Sequence, residues 1–142
     1  MRTQICSMIL RLPRPLPRNG TIGIIAPASP QRDPKRLTRG ITYLERWGYN
    51  VVLGEHVHRE HGAYLAGTDQ QRVDDLHAMF SNKHIDAIFC SRGGYGSARL
   101  LDRVNWNLIR RNPKIFVGFS DITALQLAML RKAGLVTFTG AL

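Results

Sequence analysis

The chain has 142 residues, 44% hydrophobic and 21% charged, with a formal net charge of +10. That is one domain's worth of sequence with enough apolar content for a core, and no apolar run approaches the roughly 18 residues of a membrane span. The twenty Lys and Arg residues are scattered, and no stripe interleaves them with aromatics, so nucleic acid is not the expected partner despite the charge.

Residues 1–19 carry Arg2, Arg11, Arg14 and Arg18, no acid, and prolines at 13, 15 and 17. They read as a disordered lead-in to a domain spanning 20–142. Their apolar stretch, Ile5 to Leu10, is too short for a signal-peptide core. Cys6 and Cys90 form neither a disulfide framework nor a metal cluster, which points to a reduced, cytoplasmic compartment.

From residue 20 strands and helices alternate. Thr21 to Ala26 is a continuous apolar run, as a buried parallel strand reads. Asp33-Pro34 opens a helix with Leu37, Ile41, Leu44 and Trp47 at helical spacing, ended by Gly48. Val51 to Leu53 is a second strand, and Glu55 to Ala66 a polar loop with His56, His58 and His61. Thr68 and Gln71 make a capping box for a helix with Val73, Leu76 and Phe80 on one face, where His77 and His84 read as surface residues. Ile85 to Cys90 is the third strand, followed by Arg92-Gly93-Gly94-Tyr95-Gly96 and a helix from Ser97 to about Leu101. Asn105 caps a short helix to Arg110. Lys114 to Phe119 is the fourth strand. Ile122 to Lys132 is a helix apolar nearly all round, hence buried, and Val136 to Phe138 starts a fifth strand. Such alternation implies an α/β fold, a parallel sheet with helices on both faces. With no closing helix after that strand, the chain reads as the N-terminal domain of a longer enzyme.

Sheets of this kind bind ligands beyond the carboxyl ends of their strands. Three loops fall at that edge: Pro27 to Ser29, Arg92 to Gly96, and Gly118 to Asp121. Ser120 stands between a strand and a helix. It reads as a nucleophile with the Asp121 amide beside it, or as an ordinary Ser N-cap. Ile122 replaces the glycine that an α/β-hydrolase elbow has two residues after its serine. The glycines at 93, 94 and 96 let backbone approach a ligand, and Arg92 can grip a carboxylate. The same loop could serve a non-catalytic module that binds an anion or nucleotide. The histidine-rich loop matches no standard metal-ligand spacing, and no cofactor is expected.

Taken together, Gly20 to Ser29, Tyr64 to Asp69, Arg92 to Gly96 and Gly118 to Leu125 resemble, in order and spacing, the LD-carboxypeptidase family of serine peptidases, which includes the microcin C self-immunity hydrolases. The resemblance implies a flavodoxin-like domain related to glutamine amidotransferases. It implies Ser120 as nucleophile, the backbone amides of Gly93 and Asp121 as oxyanion hole, and Arg92, Gly94 and Tyr95 on the substrate side. The implied reaction is metal-independent hydrolysis of the bond between an L-diamino acid and a terminal D-alanine in cytoplasmic murein recycling. The muropeptide would then be the substrate, and the full-length enzyme a possible homodimer, with neither nucleic acid nor membrane as partner. The family's catalytic Glu and His belong to a C-terminal domain with no counterpart in these residues, so the chain alone is expected to be inactive. Thr139, Ala141 and Leu142 stand where the family has His, Pro and Met, which leaves the last strand's register open.

Overall fold

The computed structural model describes residues 9–142. Five parallel strands form one sheet: β1 (Thr21–Ile25), β2 (Asn50–Leu53), β3 (Ala87–Cys90), β4 (Ile115–Gly118) and β5 (Phe138–Thr139). Their spatial order is β2-β1-β3-β4-β5, the flavodoxin-like doubly wound order. The α/β expectation therefore holds. Chain direction across the sheet reverses between β1 and β3, which opens a crevice at their carboxyl ends.

Strand side chains alternate between two faces. Ile25, Ile88, Cys90 and Phe116 point to the face covered by α2 (Asp69–Ser81), α3 (Trp106–Arg111) and α4 (Thr123–Ala128), where Val73, Leu76, Phe80, Leu125 and Met129 close a continuous core. Phe80 stacks on Phe116 there, with centroids 6.2 Å apart. Ile22, Ile24 and Ala87 point to the other face, where α1 (Pro34–Arg46) adds buried Leu37 and half-buried Ile41 and Leu44. Tyr43 and Trp47 pair with each other on that helix and stay exposed, so Trp47 does not join the core as its spacing predicts.

The helix termini follow local chemistry. The Asp33 side chain accepts from Lys35 N–H and Pro34 sits in the first turn of α1. Both bonds of the Thr68–Gln71 capping box are made. Lys114, buried at the amino edge, donates to the carbonyls of Met79 (3.0 Å) and Asn82 at the end of α2, where a cation is favoured.

Three expectations are corrected. Residues 9–19, read as part of a disordered lead-in, are tied to the domain: Arg11 N–H donates to Gly134 O (2.7 Å) and Arg11 O accepts from Val136 N–H (3.0 Å). Those bonds occupy residues 134–136, so the ladder with β4 begins only at Phe138, two residues later than expected. The remainder of the lead-in, residues 1–8 with Arg2 and Cys6, lies outside the described residues. The run after Ser120 is three segments rather than one helix: a 3₁₀ turn (Ser120–Ile122), α4, and a π-helical stretch (Met129–Ala133). It is not buried all round either, since Leu127 is 62% exposed. Among the described residues no helix is long and apolar enough to cross a membrane.

Candidate active site

The loops after β1, β3 and β4 meet at the carboxyl edge. Ser29 follows β1, and its Oγ accepts from Tyr95 N–H (3.0 Å) while its own N–H reaches Gly93 O (3.4 Å). Gly94 turns back at φ +111°, where a Cβ would collide with the Ser29 side chain, 2.6 Å from its Cβ. Glycine there lets the two loops close on each other.

Gly93 faces the Ser120 turn. A Cβ on Gly93 would stand 2.9 Å from both the Phe119 carbonyl oxygen and Ser120 Cβ, and 3.3 Å from Asp121 N. The geometry thus brings residues 93, 120 and 121 to one place. Gly93 N–H donates to no group among the described residues. On the far side of the turn, Gly118 lets Ile122 fold back over the strand end, 2.5 Å from where a Cβ would be.

Ser120 has φ +57°, one of two non-glycine residues with positive φ among those described. An L-residue pays about 1–2 kcal/mol for that region. The turn is pinned from both flanks. Ile122 N–H bonds Phe119 O (3.2 Å). The Asp121 carboxylate accepts from Ser97 N–H (2.8 Å), and its carbonyl accepts from Ser97 Oγ (2.5 Å). The Ser N-cap alternative fails. Phe119 occupies the cap position, no side-chain cap bond is formed, and the exposed Ser120 hydroxyl bonds nothing among the described residues.

A buried arginine that motif reading overlooked ties these loops together. Arg72 is 1% exposed. Its Nη1 donates to Pro27 O (2.8 Å) and Gly96 O (2.9 Å), joining the loops after β1 and β3. Its Nη2 bonds Asp69, which also holds Arg99 through two contacts of 2.9 Å. The hydrogen bond from Arg99, together with the charge of Arg72, holds the Asp69 carboxyl below its usual range, whereas burial lowers the Arg72 guanidinium. The sequence signal was only an Arg one turn into a helix whose Thr68-Asp69 start belongs to the motif at Tyr64 to Asp69.

A cleft of about 870 Å³ opens beside Ser120, between the ends of β3 and β4 and helix α1. Ser91, Arg92, Gly93, Gly94 and Ser120 form one wall, with Arg36 and Arg39 of α1 opposite. Tyr95, 56% exposed, lies outside the lining although its amide holds the loop. Arg92 is half-buried and donates to Pro30 O (3.3 Å).

None of the five histidines lines this cleft. His56 Nδ1 lies 2.8 Å from buried Asp75. His77, expected at the surface, is half-buried, and its Nε2 accepts Asn105 N–H (2.9 Å); burial lowers its pKa. No group of three or more His, Cys, Asp or Glu suited to a metal is present among the described residues.

Comparison with known proteins agrees with this architecture. The family model of the LD-carboxypeptidase N-terminal domain matches residues 22–140. A probable murein peptide carboxypeptidase of Bacillus subtilis is 46% identical over 128 residues, covering 90% of this chain and 40% of the relative. The murein tetrapeptide carboxypeptidase of Pseudomonas aeruginosa is 40% identical over 116 residues, covering 81% and 37%. The crystal structure of an MccF-like protein from Bacillus anthracis superposes with a TM-score of 0.87 at 34% identity, covering 92% of this chain and 40% of that one. The chain thus spans about two fifths of the length of the curated relatives it matches. By sequence and by fold, it belongs to the LD-carboxypeptidase family, whose N-terminal domain it forms.

Proposed function

We propose that this domain supplies the nucleophile and oxyanion hole of a serine LD-carboxypeptidase acting on murein tetrapeptides. The observation that carries the reading is the Ser120 turn: a serine held at φ +57°, its hydroxyl bonded to nothing among the described residues, beside the close approach of Gly93. A serine placed at a helix start for the fold's sake would be expected to cap it, and Ser120 does not.

Ser120 Oγ attacks the carbonyl carbon between the L-diamino acid and the terminal D-alanine. The oxyanion takes the amides of Gly93 and Asp121. The serine proton passes to a base and on to the departing D-alanine nitrogen, and water then hydrolyses the acyl-serine to release the shortened peptide. No histidine of this chain lines the cleft, and the family resemblance assigns the base and its orienting carboxylate to a C-terminal domain. A serine without its base loses several orders of magnitude in rate.

The 142-residue chain is therefore expected to release no D-alanine above background from a murein tetrapeptide. A hybrid in which it replaces the matching segment of the Bacillus subtilis relative is expected to do so, at a rate that Ser120→Ala lowers by about 10³-fold or more. A folded hybrid whose activity survives Ser120→Ala would refute the assignment.

A further inference from the structure

The two amides assigned to the oxyanion hole belong to different loops. Among the described residues, no backbone hydrogen bond runs between residues 91–97 and residues 119–122. What joins the loops is one pair of side chains. The Asp121 carboxylate accepts from Ser97 N–H (2.8 Å), and Ser97 Oγ donates to the Asp121 carbonyl (2.5 Å). Each side chain bonds the other's main chain, as in a capping box, but across 24 residues of sequence rather than within one helical turn. The base of this latch is rigid. Ser97 is 0% exposed, and Leu100 at the end of its 3₁₀ turn (Ser97–Leu100) is equally buried. The peptide group leading into Ser97 is held at both ends: Gly96 O accepts from Arg72 Nη1 (2.9 Å), and the N–H goes to Asp121. Gly96 has φ +116°, where a Cβ would stand 2.5 Å from the Leu65 side chain, so glycine is required there. Ser97 itself does not line the cleft.

Oxyanion stabilisation depends on donors that are fixed before the charge develops. A misplacement of about 1 Å can cost on the order of 10²-fold in rate. We infer that Ser97 is a positioning residue: together with the Asp121 carboxylate it sets the Asp121 amide against that of Gly93, from behind the site and without touching a reacting atom. The carboxylate next to the nucleophile then has a mechanical task, holding two loops in register. This deepens the peptidase reading and rests on it, because the amides matter only if Ser120 is the nucleophile.

Steady-state kinetics of the hybrid with the Bacillus subtilis relative, on a murein tetrapeptide, tests the latch. Ser97→Ala is expected to lower kcat about tenfold while KM stays within about twofold, the pattern of an interaction realised only in the transition state. Asp121→Ala keeps the backbone amide but removes the other arm, and it should lower kcat by about the same factor. Asp121→Asn still offers an oxygen to Ser97 N–H and should recover most of the loss. Asn105→Ala uncaps α3 and serves as the control for fold: its melting temperature should drop with kcat unchanged. If Ser97→Ala does not fold, the two Asp121 variants carry the test. Full kcat in Ser97→Ala and Asp121→Ala overturns the inference. So does a loss confined to KM, or an Asp121→Asn no faster than Asp121→Ala. Turnover that needs Ser120 but ignores Ser97 removes the latch alone. A hybrid without Ser120-dependent turnover removes the peptidase reading, and the latch with it.

Discussion

Two helical segments at the carboxyl edge start with a hydroxyl residue, and they use it in opposite ways. Thr68 starts α2 at φ −65°, its side chain accepting from Gln71 N–H, with the reciprocal Gln71 bond also made. Ser120 starts its segment at φ +57° with no cap bond. The first arrangement satisfies orphan amides and relaxes the backbone. The second leaves the hydroxyl without a partner among the described residues and stores strain. That contrast separates a structural serine or threonine from a reactive one more sharply than position in the motif does. The relaxed start also supports the strained one: Arg72, one turn into α2, reaches the loops after β1 and β3 that flank Ser120.

The contrast can be broken most severely at that link. Arg72→Met removes the Arg72 donor from the Pro27 carbonyl and leaves Gly96 O with the Arg99 N–H (3.3 Å), while Asp69 keeps the Arg99 side chain. The expected loss is about 3 kcal/mol in a denaturant titration, and Arg72→Lys should recover only part of it because one ammonium cannot copy the fork. Next in size, Gly93→Ala pushes a methyl against the Phe119 carbonyl and Ser120 Cβ. About 2 kcal/mol of stability should go, and hybrid activity should fall further than that loss accounts for. The two starts themselves should respond with opposite sign. Thr68→Ala is expected to cost about 1 kcal/mol, whereas Ser120→Gly should stabilise the domain by about 0.5 kcal/mol by relieving the positive φ. A loss at both positions would mean that Ser120 is an ordinary structural residue.

The smallest effect is one of pH, at a third start. Asn105 caps α3, and its own N–H is taken by His77 Nε2, which accepts only while neutral. Burial depresses the folded pKa of His77 below the usual 6.5, so the unfolded chain binds the proton more readily. Its contribution is full above pH 6.5 and is lost as pH falls through the folded value. Melting temperature should therefore drop on acidification in that window, and His77→Leu should flatten the drop.

The local chemistry was legible in the residues. Thr68 with Gln71, Asp33 with Pro34 and Asn105 are short-range signals, and each forms as read. The sheet followed from alternating apolar runs. Features that depend on distant partners were not legible. Trp47 fits the apolar period of α1, yet it is exposed, α1 being the one helix over that face of the sheet among the described residues. Arg72 looks like a surface residue until the loops of residues 27 and 96 arrive. The φ of Ser120 is imposed by Gly118, Gly93 and Ser97 together, and no spacing rule encodes that.

Cys90 closes β3 on the well-packed face, and full burial raises its thiol pKa far above the ordinary range. A thiol so hidden is inert to alkylating reagents while the sheet is shut. In a Cys6→Ser background it becomes a native stopwatch. The rate at which iodoacetamide labels residue 90 reports how often the central strands come apart, without an added dye or a mutation in the core.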